Sequence, residues 1–259
     1  MNPRLRLLLI VIATVQAVLS IAFTMQVPVV TGLWPFPGTT PLSFTFIASI
    51  FGAAAASTTW CVWINDPAPL AGIALDYIVI LTPATIFSIT VNSGETSTIP
   101  FAIASAIGVA FGVWLLTQSF TKPYLDTYPT PRPLLVAFVI FIVALIIAGG
   151  ALVLGTPGIM PWQITPDLSV LFGAMFLGAA AYFAYALYKR YWANAGGQLA
   201  GFLVYDLFLI IPFFQRFGTV AENLRLSLYI YTAVVTVSAL LAIYYLFVNG
   251  PTRILRPTR

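Results

Sequence analysis

Two carboxyl–phenol pairs stand inside otherwise apolar stretches of the chain, Asp76-Tyr77 and Tyr205-Asp206. A carboxyl group in a low-dielectric setting can take up and release a proton, and a neighbouring phenol can donate a hydrogen bond to its ionised form. Ionisable side chains within a membrane span are costly, and they mark ion or substrate pathways and proton relays. The two pairs sit in matching frames: Leu70-Ala71-Gly72 and Pro83 flank the first, and Leu199-Ala200-Gly201 and Pro212 flank the second, at a constant offset of 129. At that offset Asp76 falls on Tyr205 and Tyr77 on Asp206, so carboxyl and phenol exchange places. Each proline removes one helical N–H and frees a carbonyl one turn earlier, and interrupted spans at corresponding places in two halves point to a transporter site. The candidate substrate- or proton-binding residues are therefore Asp76, Tyr77, Tyr205 and Asp206, with Pro83 and Pro212 as helix breaks.

Other chemistry is scarce. The absence of histidine removes the commonest metal ligand and physiological-pH base, and the single cysteine, Cys61, allows no intrachain disulfide. Histidine-ligated haem, zinc hydrolysis and Ser-His catalysis are excluded, and neither a metal nor a cofactor is expected. Gln16, Gln118 and Gln198 are isolated and read as packing residues. Glu222 and Arg225, at i and i+3, read as an exposed pair of small energetic value. Asn92-Ser93-Gly94-Glu95 reads as a turn.

The elements that position these residues follow from composition. Hydrophobic residues make up 60% of the 259 positions and charged residues only 7%, against about a quarter charged in a soluble domain. A helix needs about 20 apolar residues to cross the hydrocarbon. Eight segments reach that length, at approximately 5–25, 41–63, 68–91, 98–119, 133–154, 167–188, 196–215 and 225–248. Fold class is thus all-α integral membrane. The first segment follows Arg4 and Arg6 without a small-residue cleavage site and reads as a retained signal anchor. With the amino terminus inside, nine of the eleven basic residues fall on the cytoplasmic side and only Arg216 and Arg225 outside. Both termini are accordingly expected in the cytoplasm and the chain in the plasma (inner) membrane. The net charge of +4 is read as topology, not as a nucleic-acid-binding surface.

Thr40-Pro41 and Thr165-Pro166 each read as an N-cap with proline at the first helical position, while Trp34 and Trp162 fit an interfacial aromatic belt. Sliding the chain on itself by 126 matches ten of 23 positions from Leu33 to Ala55, among them Pro35, Thr39, Ser43 and Gly52 on Pro161, Thr165, Ser169 and Gly178. The expectation is a duplicated four-helix unit: residues 1–120, a Pro-rich cytoplasmic linker at 121–133, and residues 134–259. Four crossings return the chain to its starting side, so the two copies share one orientation. The linker's prolines make it a semi-rigid spacer. Counted from the cytoplasmic ends, Asp76 lies about eight residues into the third segment and Asp206 about eleven into the seventh. That places both roughly 12 to 16 Å deep. If these two segments adjoin, the carboxyls share a cavity.

Tyr205-Asp206 resembles the Tyr-Asp element of intramembrane aspartyl proteases. The Gly-x-Gly-Asp element paired with it in those enzymes is absent around Asp76, where the chain reads Gly72-Ile73-Ala74-Leu75-Asp76. The favoured reading is non-enzymatic, a proton-coupled carrier of a small solute or ion with a midplane Asp/Tyr site. The alternative is a structural or accessory subunit of a larger membrane complex, since the loops are too short to hold a soluble domain. An intramembrane aspartyl enzyme is the third. The partners these readings imply are the lipid bilayer and either a small-molecule substrate or other membrane subunits.

Overall fold

A computed structural model describes residues 1–91 and 98–254. Among the described residues eight helices are long and apolar enough to cross a membrane, which makes the structure compatible with a multi-pass integral membrane protein. In chain order they are α1 (Pro3–Thr24), α3 (Pro41–Trp63), α4 (Leu70–Thr90), α5 (Ile99–Ser119), α6 (Arg132–Val153), α7 (Pro166–Tyr188), α8 (Trp192–Gln215) and α9 (Glu222–Ile243). A single-turn helix, α2 (Pro28–Thr31), follows α1, and a π-turn (Tyr244–Val248) continues α9. The turn at residues 92–95 lies outside the described residues.

Local chemistry sets most of these bounds. Thr40 and Thr165 are extended, and Pro41 and Pro166 open α3 and α7; Thr165 also accepts a hydrogen bond from the Leu168 N–H, whereas the Thr40 hydroxyl caps nothing. The helices α1 and α6 end alike. The Val27 N–H donates to Ala22 O and the Gln26 N–H to Phe23 O, matching Thr156 to Ala151 and Gly155 to Leu152. These are Schellman caps, with a left-handed residue, Gln26 (φ 49°) or Gly155 (φ 71°), just past the helix.

The helix α8 starts at Trp192, four residues before its expected start at 196. Asn194 stands before that start, and Gly196 and Gly197 are weak helix formers, but tertiary contacts hold the stretch in helix. Trp60 donates its indole N–H to Ala193 O at 2.8 Å. Its ring lies so close to Gly196 that a Cβ there would come within 2.1 Å of Cζ2.

Four helices form the centre. α3 packs on α8 and α4 on α7, whereas α3–α4 and α7–α8 make only slight contact. The central ring therefore has two tight edges and two slack ones. The outer helices flank the slack edges, with α1 on α3 and α5 on α4 at one, and α6 on α7 and α9 on α8 at the other. Buried side chains form two apolar clusters, one around Phe46, Trp162, Phe172 and Phe213 and the other around Trp60, Leu70, Phe138 and Phe183.

One end of the bundle is tied together by the linker. Leu125 N–H donates to the buried Asp66 carboxylate at 2.8 Å, Thr130 N–H to Arg190 O at 2.8 Å and Trp192 N–H to Tyr128 O at 2.7 Å. Asn194 Nδ2 donates to the Tyr124 hydroxyl at 2.9 Å. Burial, and then the Tyr185 hydroxyl beside it, hold the Tyr124 phenol above its ordinary pKa, so this anchor stays uncharged. The linker is thus a strap pinned along its length by hydrogen bonds, a firmer role than that of a spacer. The amino-terminal ammonium reaches Asn65 O at 3.3 Å, and Thr252 to Ile254 lie beside Trp60 and Trp192. The first and last described residues therefore share this end with Lys122, Arg132, Lys189 and Arg190.

Trp162 corrects the belt expectation. It is enclosed at 1% exposure, and its indole N–H donates to Ser43 Oγ at 3.1 Å, so it joins the two halves of the chain instead of facing lipid headgroups. Glu222 and Arg225 are both exposed and, among the described residues, form no ion pair with each other, so the expected pair is absent.

Candidate functional site

Between the two apolar clusters lies a cavity of about 570 Å³, lined by residues of both. Its size falls within the roughly 300–1,000 Å³ typical of small-molecule sites. All four candidate residues, Asp76, Tyr77, Tyr205 and Asp206, line it.

Asp76 projects from α4 beside Gly178 of α7. A Cβ on that glycine would come within 2.7 Å of Asp76 Oδ1, so only glycine leaves room for the carboxyl at this tight edge. No hydrogen bond to the Asp76 carboxyl is formed among the described residues. Tyr77, about 100° further round the same helix, accepts a hydrogen bond from Gln16 Nε2 of α1 at 2.6 Å. That bond joins α1 to α4 across the slack α3–α4 edge.

On α8 the order is reversed, and so are the surroundings. Tyr205 packs edge-on against Phe46 of α3, and its hydroxyl is hydrogen-bonded to that of Tyr231 on α9. Asp206 is 1% exposed, and neither of its carboxyl oxygens has a hydrogen-bond partner among the described residues. Ser238 of α9 faces it without reaching hydrogen-bond geometry. A buried polar group left unpaired costs about 1–3 kcal/mol, so such groups in native proteins call for an explanation.

The helices α4 and α8 do not pack as a pair. The two carboxyls line one cavity from opposite tight edges and do not meet across a helix–helix contact. The expected depths also shift: Asp206 lies fourteen residues past the observed start of α8 and Asp76 six past that of α4. Counted from Tyr182, whose ring a Cβ at Gly72 would meet at 2.6 Å and whose hydroxyl one at Gly197 would meet at 2.9 Å, Asp76 stands four residues on and Asp206 nine, so the two carboxyls differ in level by about 7 Å.

Pro83 and Pro212 lie inside α4 and α8, and both helices run on through them. Neither breaks its helix, then; each leaves one carbonyl, of Val79 or Phe208, without its usual N–H.

Three polar residues read as packing, or not singled out, belong to the site. Gln16 and Gln198 line the cavity, and so does Tyr182, whose buried hydroxyl has no partner among the described residues. Gln118, by contrast, is exposed. Gln16 lies 61 residues from Tyr77, and only the tertiary fold brings them together. Gln198 carried a signal, since it stands seven residues, about two turns, before Tyr205 and on nearly the same helical face. Near the end containing Arg216, the Trp34 ring closes the cavity, packed between Phe23 and Phe101.

Taken together, these features describe an all-helical bundle of eight apolar spans around a mostly apolar cavity with two carboxyls in its wall. Comparison with protein-family models, curated proteins and solved structures finds no match to the chain.

Proposed function

We propose that the chain is a multi-pass membrane carrier that binds a small solute in the central cavity and couples its passage to a proton held by Asp76 and Asp206. The observation that carries this reading is the single cavity lined by Asp76, Tyr77, Tyr205 and Asp206, which also holds a deeply buried carboxyl with no partner among the described residues. Such a group is expensive to keep unless it acts.

The proposal includes a duplicated architecture, residues 1–120 and 134–259 joined by the strap at 121–133. Its support lies in the helix pairs. If α1, α3, α4 and α5 correspond to α6, α7, α8 and α9, every principal contact has its counterpart: α1–α3 with α6–α7, α4–α5 with α8–α9, and α3–α8 with α7–α4. The matching Schellman caps of α1 and α6 fit the same correspondence. A cavity between two such halves, with the slack edges free to open and close, suits alternating access.

The orientation follows from charge. Arg4, Arg6, Lys122, Arg132, Lys189, Arg190 and Arg253 gather at the strap end, and Arg216 and Arg225 at the other. The strap and both termini then face the cytoplasm of the plasma (inner) membrane. In a Cys61→Ala background, Leu125→Cys should react with a membrane-impermeant maleimide only from the cytoplasmic side and Leu154→Cys only from outside. Labelling of both from one side would overturn this topology.

Proton coupling is tested in liposomes. Protein reconstituted with an imposed solute gradient should acidify or alkalinise the lumen, and Asp206→Asn, nearly isosteric but unable to exchange a proton, should reduce that flux at least tenfold. Equal flux through wild type and Asp206→Asn would reject the carrier mechanism.

A further inference from the structure

The geometry points to an organic cation with an apolar body as the ligand of the cavity, entering sideways from the hydrocarbon between α1 and α5. The inference rests on the cavity being a binding site, as proposed above, and adds the class of ligand and its route.

The class follows from what the walls offer and what they lack. Asp206, 1% exposed with both oxygens unpartnered among the described residues, and Asp76 supply the negative pole. No lysine or arginine lines the cavity among the described residues. Ionisable groups inside a membrane pair with one another or with a counter-charge, and here the counter-charge has to arrive with the ligand. The rings of Tyr77, Phe176 and Tyr182 also line the cavity, and an aromatic ring attracts a cation. The remaining wall is aliphatic or aromatic and matches an apolar body. An anion would meet two carboxyls, and a strongly hydrated inorganic ion would lose its water to apolar walls.

The route follows from the slack edge. Val15 of α1 and Ile107 of α5 both line the cavity, yet are 52% and 65% exposed. Each lies about 18 Å from the strap end of its helix, at mid-bilayer depth. The helices α1 and α5 do not pack as a pair, and the link near this level is the Gln16–Tyr77 hydrogen bond. The opposite slack edge is filled: Phe141 stacks on Phe202, and Tyr231 packs on Phe176 and Phe213. The gap is therefore one-sided and faces lipid, where a ligand with an apolar body already partitions.

The test uses three probes with one hydrocarbon cage, 1-adamantylamine, 1-adamantanol and 1-adamantanecarboxylate, in equilibrium and kinetic binding to the full chain in nanodiscs, with empty nanodiscs as the partition control. The amine should bind at least tenfold more tightly than the other two, and Asp206→Asn should remove that preference. Ile107→Trp, which plugs the gap from the lipid side, should slow association and dissociation alike, each at least tenfold. Val15→Phe is read in its place if that variant does not fold. Tighter binding of the alcohol or the carboxylate, still dependent on Asp206, would overturn the cationic class and leave the cavity as a binding site. An unchanged association rate in the plugged variant would overturn lateral entry. Amine binding that persists in Asp206→Asn would mean partition into lipid or an adventitious site and would overturn the cationic class. Absence of binding by all three probes, together with proton flux unaffected by Asp206→Asn, would reject both this inference and the carrier reading.

Discussion

Asp206→Leu is expected to raise the thermal stability of the protein in detergent while abolishing proton-coupled transport. Both oxygens of this carboxyl are buried without a hydrogen-bond partner among the described residues. Leucine is the larger side chain, but Asp206 lines the cavity, which has room for it, and leucine has no polar group to leave unpaired. Removing an unsatisfied buried polar group recovers part of a penalty of about 1–3 kcal/mol, so a gain of about 1 kcal/mol is expected. Asp206→Asn should leave stability within about 0.5 kcal/mol, since neither carboxyl oxygen is hydrogen-bonded among the described residues and the two polar side chains have one shape. Stability bought at the expense of function is the common pattern where a site keeps a strained or unsatisfied group. If Asp206 were only a fastener between α8 and α9, Leu would strand its partner and lower the melting temperature. Thermal unfolding of the two variants, followed beside liposome flux, separates the cases.

Gly196→Leu is expected to cost about 3 kcal/mol or to prevent the folded protein from accumulating. Even the first side-chain carbon would sit 2.1 Å from Trp60 Cζ2. The ring has nowhere to go, because its N–H is bonded to Ala193 O and Trp192 packs edge-on against it at 6.0 Å. Overpacking of this kind costs about 1–3 kcal/mol, occasionally more, and it falls on the tight α3–α8 edge that frames the cavity. Gly150 provides the control. It lies inside α6 with nothing within 4 Å of a Cβ, so Gly150→Ala should gain about 0.5–1 kcal/mol through helix propensity. Equal melting temperatures for the two variants would show that α3 and α8 do not approach as described.

The eight long helices were readable because a crossing needs about 20 apolar residues, and because Pro41 and Pro166, each behind an extended threonine, fix where α3 and α7 begin. Four of the residues that line the cavity were readable for a related reason: a carboxyl in an apolar run is conspicuous. What escaped was decided by tertiary contact. The first turn of α8, with Asn194 in it, falls before the expected start at 196, and only the Trp60 bond to Ala193 O shows why helix begins there. Trp162 looked like a belt residue because a tryptophan beside proline and glycine near a span end is usually interfacial; its hydrogen bond to Ser43, 119 residues away, cannot be seen in a local window. Asp66 and Leu125, which pin the strap, are likewise far apart in sequence. The prolines misled in the opposite direction, since a membrane helix can tolerate a lost hydrogen bond without breaking.

The most direct measurement of the central claim, that cavity carboxyls exchange a proton, is the pH-difference infrared spectrum of the protein in lipid. A protonated carboxyl without hydrogen bonds has its C=O stretch at the high-frequency end of the carboxylic-acid range, apart from the solvated acids of Asp126, Asp167 and Glu222. The expected result is a high-frequency band that appears and disappears reversibly with pH, weakens in Asp206→Asn and vanishes in the double variant Asp76→Asn/Asp206→Asn. A spectrum with no titrating high-frequency band, or one unchanged in the double variant, would contradict it.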